Sequence, residues 1–381
     1  MKLDIKDLKN LVSKLNLAIE KSKVNPKSGW IELEADNESV NFKVSNYDYY
    51  LEVSVLANEF IPDEDKFHVT ILADTFIPLV SKLDVNEVNV YEKLNSLIVE
   101  TDNSSYTFPV IKELGKTKCL DVIEFNPTDG GFQIDSRDLE SIANVNANGI
   151  ADSIITKDIQ QFIYVDNVGA LTFTENIYVN DFKHPTSGEF KFLLNVTQAK
   201  LLNIFKGENI VLLDIEQEET YDTCQTLSNK ISLSNDKIRL VMVTQQQDIV
   251  DKFPSIRLRA LAENDENTHI VVDKKLLDKA LTRLMVFDKK FDITVMDYSK
   301  LVFKENELEL VSIKNKNFEK IPYISSQNVV EHESVIRFAD LVKQLKAVTS
   351  KEIDISYGSR PAIVINSNVK QVIPEIHVRG N

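Results

Sequence analysis

The stretch IVVDKKLLDKALTRL, Ile270 to Leu284, reads as a short apolar strand, an aspartate and then an amphipathic helix. The same phrase opens the chain as MKLDIKDLKNLVSKL (Met1 to Leu15) and returns as FQIDSRDLESIANV (Phe132 to Val145). With the helices aligned on Leu8, Leu139 and Leu277, Asp4, Asp135 and Asp273 fall in register. Each is then an N-cap, its carboxylate accepting from the free backbone N–H groups of the first turn. Three copies in 381 residues is one per 127 (381/3), the size of an ordinary domain.

Each copy repeats one order of elements. In the first, residues 1–124, the helix carries Leu8, Leu11, Val12, Leu15 and Ile19 on one face, and Asn25-Pro26 and Ser28-Gly29 close it. Alternating strands follow at Trp30–Leu33, Val40–Val44 and Tyr49–Val55. A second short helix is expected at Asp74–Leu83, provided Pro78 falls in its first turn, where a missing N–H costs nothing. Strands at Val88–Tyr91, Leu97–Thr101 and Tyr106–Val110 finish the unit.

The second copy, 125–265, places helices at Asp135–Val145 and Thr197–Phe205. The third, 266–381, places them at Lys274–Val286 and Phe338–Val348. The first-to-second-helix spacing is 68 (Leu8 to Phe76), 62 (Leu139 to Leu201) and 64 (Leu277 to Leu341). Each copy is therefore two helix-plus-strand halves, giving six half-units. The fold class is α+β, with two helices per domain lying on antiparallel strands. No Gly/Ser-rich linker separates the copies.

Composition narrows the function. The 43% hydrophobic chain can bury several cores, and its net charge of −15 argues, as a bulk number, against a nucleic-acid surface. Position says otherwise. Opposite the apolar face of the first helix stand Lys6, Lys14 and Lys21; the third repeat offers Lys275, Lys279 and Arg283. Lys6, Arg137 and Lys275 occupy one repeat position, two before the reference leucine, and Lys14 matches Arg283. The second helices add Lys206, Lys343 and Lys346. A recurrent basic helix face suits salt-sensitive, sequence-independent phosphate contacts. The plainer reading is a set of solvated lysine faces on a repeat-domain scaffold or viral assembly protein.

Enzymatic chemistry finds no support. There is no glycine-rich phosphate loop, nucleophile elbow or metal-ligand spacing, and the five histidines are scattered. No metal and no cofactor are expected. Cys119 and Cys224 lie far apart, and no apolar run approaches a membrane span, so a reducing cytoplasm is expected.

Three such domains with basic outward helices resemble the bacterial-type DNA polymerase sliding clamp (the beta clamp), over essentially the whole chain. The local matches are FHVTILADTFIPLVSKL (Phe67–Leu83), LIVETDNSSYTFPVI (Leu97–Ile111), DIVDKFPSIRLRAL (Asp248–Leu261) and RPAIVINSNVKQVIPEI (Arg360–Ile376). The resemblance implies a homodimeric, head-to-tail ring of six domains with helices lining a pore around duplex DNA. It implies a processivity role, with DNA polymerase and an ATP-driven clamp loader as partners. It also implies a pocket for partner peptides at Ile150, Leu171, Pro254, Leu258, Ile373, Pro374 and Ile376. The sequence departs from the family at Asp166-Asn167-Val168-Gly169-Ala170-Leu171, which lacks the family's His-Arg pair, and in the extension His377–Asn381.

Overall fold

The computed structural model describes residues 1–381 except 21–23, 60–61, 63–64, 114–115, 118, 127–130, 147–157, 174–178, 217–228, 264–267, 289–298, 314–315, 359 and 377–381. The sequence pattern also reads as strands at Ser153–Thr156 and Ile293–Val295; these, like Cys224, lie outside the described residues. Eight α-helices occur among those described: α1 (Ile5–Ala18), α2 (Ala73–Lys82), α3 (Ser136–Ser141), α4 (Val196–Leu201), α5 (Gln247–Val250), α6 (Ser255–Glu263), α7 (Lys274–Asp288) and α8 (Phe338–Leu345). None is long and apolar enough to cross a membrane.

The three aspartates cap as their register implies. Asp4 Oδ1 accepts from the N–H groups of Lys6 (2.7 Å) and Asp7 (3.3 Å). Asp135 Oδ1 accepts from Arg137 N–H (2.8 Å), and Asp273 Oδ1 from Leu276 N–H (2.8 Å). After its cap α3 runs only six residues before a π turn at Ile142–Asn146. In α2 the proline is not in the first turn: Pro78 is the sixth residue of a helix that begins at Ala73. The helix survives because Pro78 is exposed, while Phe76, Ile77 and Val80 anchor its other face in the core.

The chain forms two compact units. The first comprises 1–140 and 200–247. Its main sheet has eight strands in the order Phe132–Asp135, Ile210–Glu216, Lys230–Ser234, Ile238–Val243, Tyr49–Leu56, Ser39–Ser45, Trp30–Ala35, His68–Leu72. The join between the two sequence repeats lies mid-sheet, with Val53 opposite Ile238, Leu51 opposite Leu240 and Tyr49 opposite Met242. A second, four-stranded sheet runs Lys2–Asp4, Glu87–Lys93, Ser96–Thr101, Ser104–Pro109. Leu8, Leu11, Leu15 and Phe76 fill the core, where Phe76 meets Phe42 (6.1 Å between ring centres) and Phe108 (5.5 Å).

The second unit, 141–199 and 248–381, repeats the plan. Its nine-stranded sheet runs Lys191–Leu194, Ile163–Asp166, Gly169–Phe173, Val179–Lys183, Lys370–Pro374, Ala362–Asn366, Glu352–Ser356, His269–Asp273, Ser325–Gln327. Here the join pairs Val179 with Val372 and Asn180 with Gln371. A four-stranded sheet runs Phe318–Pro322, Glu307–Ser312, Ser299–Phe303, His332–Ile336. Every pairing between neighbours in these four sheets is antiparallel. Leu277, Leu281 and Leu284 of α7 and Phe338, Leu341 and Leu345 of α8 are buried.

Candidate functional site

The basic helix positions fall into three groups. Lys6, Lys275, Lys279 and Lys346 are exposed, and none has a carboxylate partner among the described residues. Arg137, Lys206 and Arg283 are also exposed, yet each is engaged locally. The Arg137 guanidinium grips the cap Asp135 through Nε (3.0 Å) and Nη2 (2.7 Å), and this pairing draws the Asp135 carboxyl down to about 2. Lys206 lies 2.6 Å from Glu140, and Arg283 forks onto Glu319 at 2.7 and 2.8 Å. Lys343 is half-buried, and Lys21 lies outside the described residues.

Lys14 is a correction. Its side chain is buried in the first unit, donating to Ile204 O (2.9 Å) and to Glu208 Oε1 (2.6 Å). The helical wheel explains why: Lys14 stands only 60° from Leu11 and 100° from Leu15, on the shoulder of the buried face. It fastens α1 to the 3₁₀ turn Leu202–Phe205 and offers no charge to a ligand.

The residues expected to line a peptide pocket fall, where described, in the second unit. Leu171 and Leu258 meet in one apolar cluster with Tyr164, Val179, Phe253 and Val372. Ile159, Phe162, Phe173 and Ile249 pack against it, still partly open to solvent. Tyr164 stacks on Phe253 at 4.8 Å. Pro254, half-buried, precedes α6, which carries Leu258 onto the sheet. Pro374 pairs with Ala362, a cluster member, and so borders it.

Ile373 is a second correction. Strand alternation puts Val372 on the cluster face, which sends Ile373 to the opposite face beside Gln371. There the Gln371 amide donates to Asn180 Oδ1 and to Gln344 O of α8. Ile376 is half-buried, and its N–H is drawn to Val335 O (2.8 Å). Ile150 lies outside the described residues. Sequence reasoning missed Tyr164, Phe253 and Val372. The adjacency of Phe253 to Pro254 and the period-two pattern around Ile373 were the available signals.

Charge is buried beside this apolar cluster. Arg259, on α6, binds Asp166 through two bonds of 2.7 Å and approaches Asp181 to 3.9 Å. Burial pushes the Asp166 carboxyl up, but the Arg259 bonds, with N–H donors from Val168 and Gly169, outweigh it and hold the group below its ordinary value. Asp181, opposite Leu171 in the ladder, is 1% exposed and accepts no hydrogen bond among the described residues, so burial pushes its carboxyl up. His184 is likewise buried with both ring nitrogens unpartnered among the described residues, and burial brings it down to about 4.

No family model matches the chain. The Beta sliding clamp of Mycoplasma genitalium is 21% identical over 389 residues, covering 98% of this chain and 97% of its own. Among solved structures, the beta subunit of DNA polymerase from Streptococcus pyogenes superposes with a TM-score of 0.77 at 15% identity, over 99% of both chains. The DNA polymerase sliding clamp of Bacillus subtilis gives 0.74 at 16%, over 99% of this chain and 98% of that one. The fold is that of the bacterial clamps along the full length.

Proposed function

We propose that the chain is a processivity factor for DNA polymerase, a sliding clamp that closes around duplex DNA as a ring of two copies. The observation that carries the proposal is the repetition in the strand order. In both long sheets the last strand of one half-repeat pairs with the third strand of another: Ile238–Val243 with Tyr49–Leu56, and Lys370–Pro374 with Val179–Lys183. Among the described residues one further strand of each kind exists, Ser104–Pro109 and Phe318–Pro322, and each is the outer strand of its four-stranded sheet. Such edges invite pairing. Joining them between copies continues the same rule, and two copies then close head to tail. Phe318 (57% exposed), with Val286 and Phe287 at the end of α7 (58% and 52%), supplies apolar surface for that contact.

In this reading the clamp domains are 1–124, 125–265 and 266–381, and each long sheet spans a domain junction. Lys6, Lys275, Lys279 and Lys346 face the duplex and make weak phosphate contacts that permit sliding, while the acidic remainder discourages DNA from adhering outside. The apolar surface around Leu171 and Leu258 takes short apolar segments of a polymerase or clamp loader. The protein works in the cytoplasm and needs no catalysis of its own.

Absolute mass in solution tests the ring. A species near 87 kDa (2 × 43.4) that falls to a single chain in Phe318→Asp is expected. A 43 kDa species at every concentration would favour a scaffold that does not encircle DNA.

A further inference from the structure

The segment after the first domain's last strands crosses one face of the eight-stranded sheet and is stitched down by hydrogen bonds, two of which flank Cys119. Thr117 Oγ1 donates to His68 O (3.2 Å), and the Leu120 N–H donates to Glu32 Oε2 (2.6 Å). Cys119 lies between these anchors. Below it, Glu32 and His68 come from adjacent strands, with Glu34 opposite His68 in the ladder, so that Glu32 Oε1 and His68 Nε2 stand 2.9 Å apart. One ligating atom each from Glu32, His68 and Cys119 lies within 4.8 Å of the other two.

We propose that Glu32, His68 and Cys119 form a binding site for one divalent cation of the zinc class, independent of ring formation and of DNA. Around tetrahedral zinc, with metal–sulfur bonds of about 2.3 Å and metal–nitrogen or –oxygen bonds of about 2.0–2.1 Å, ligating atoms stand about 3.3–3.7 Å apart. The present separations reach that arrangement with small side-chain adjustments, and water takes the fourth position.

The carboxylate is buried, 5% exposed, and the Leu120 N–H fixes its orientation from outside, as second-layer donors do in metal sites. Binding expels the thiol proton and leaves the imidazole neutral, with Nε2 toward the metal and the ring proton on Nδ1. Lys43, 3.7 Å from Glu32 Oε1, is the neighbouring cation, and Glu34 already pairs with it. The Glu32 carboxylate and Cys119 thiolate then supply two negative charges to match a divalent ion. Bound metal would fasten the inter-domain segment to the sheet, adding to the contact of Phe125 with Tyr50 and Val241.

The test uses the full chain with zinc alone by calorimetry, and with cobalt alone by visible absorption. Expected are one ion per chain, a thiolate-to-cobalt charge-transfer band and a raised melting temperature. Cys119→Ser and His68→Gln should each weaken binding by more than about tenfold, whereas Cys224→Ser should leave it unchanged. The proposal is overturned by absent or unsaturable binding to the unmodified chain. It is equally overturned by binding that persists undiminished in folded Cys119→Ser.

Discussion

Lys14 and Glu208, 194 positions apart, form an ion pair of 2.6 Å inside the first unit, with the lysine side chain only 7% exposed. The pair ties the first helix of one sequence repeat to the second-helix region of the next. Removing Glu208 leaves a buried ammonium with only the Ile204 carbonyl. Glu208→Ala should therefore cost about 3 kcal/mol in urea unfolding, and Lys14→Met rather less, since the Glu208 carboxylate it leaves is partly exposed and still accepts from Asn235. Neither should reduce retention on DNA in protein that stays folded. A Lys14→Met chain with full stability but impaired retention would return Lys14 to the DNA-facing set.

The basic residues proposed to face DNA divide by partner. Charge reversal of Lys6, Lys275 and Lys279, which have no carboxylate partner among the described residues, should shorten the lifetime on DNA and flatten its salt dependence, by about 0.9 in log–log slope for each phosphate no longer neutralised. Reversal of Arg283, which already spends its fork on Glu319, should have a smaller effect on lifetime. Equal effects from both sets, measured across salt concentrations, would remove the distinction.

The turn joining Glu87–Lys93 to Ser96–Thr101 has two residues, Leu94 and Asn95, both left-handed at φ 50° and 62°. A leucine there is strained and 89% exposed, where asparagine and glycine are the residues this turn favours. Leu94→Asn with Asn95→Gly should stabilise the chain by about 1 kcal/mol, raising the melting temperature. No gain in the double variant would refute the strain assigned to Leu94.

Acid should destabilise the second unit through His184. Its folded pKa, about 4, lies below the ordinary 6.5, so the unfolded chain binds a proton that the folded one refuses. The contribution is complete above pH 6.5 and disappears as pH falls through 4, for about 3 kcal/mol in total. His184→Leu should flatten that limb. Asp181 acts in the opposite sense, because its raised carboxyl stabilises the fold at low pH and loses that contribution as pH rises through its folded value. Asp181→Asn should raise stability at neutral pH. Denaturant melts from pH 4 to 8 read both effects, and unchanged profiles in the two variants would refute them.

Much of this fold was legible because the repeat carries its own check: a capping aspartate and an apolar stripe recur in register. What escaped was set by long-range pairing. Val179–Lys183, VNDFK, has too polar a pattern to read as a strand, and becomes one between Gly169–Phe173 and Lys370–Pro374. Helix α6 hid behind Phe253-Pro254. Motif position grouped Leu171, Leu258 and Ile373; the first two share a cluster with Val372, and because one residue along a strand changes the face, Ile373 points away from it. Lys14 was misread because a helix flank does not announce the neighbour that will cover it.

Retention on closed against cut DNA tests the central claim most directly. The chain is loaded onto a nicked circular plasmid by its cognate clamp loader with ATP, freed of unbound protein by gel filtration, and the plasmid is then linearised by a single cut. Protein that stays with the circle and runs off the linear form holds DNA by encircling it, which is the expected result. Equal retention before and after the cut would mean that it holds DNA by contact alone, and would contradict the ring.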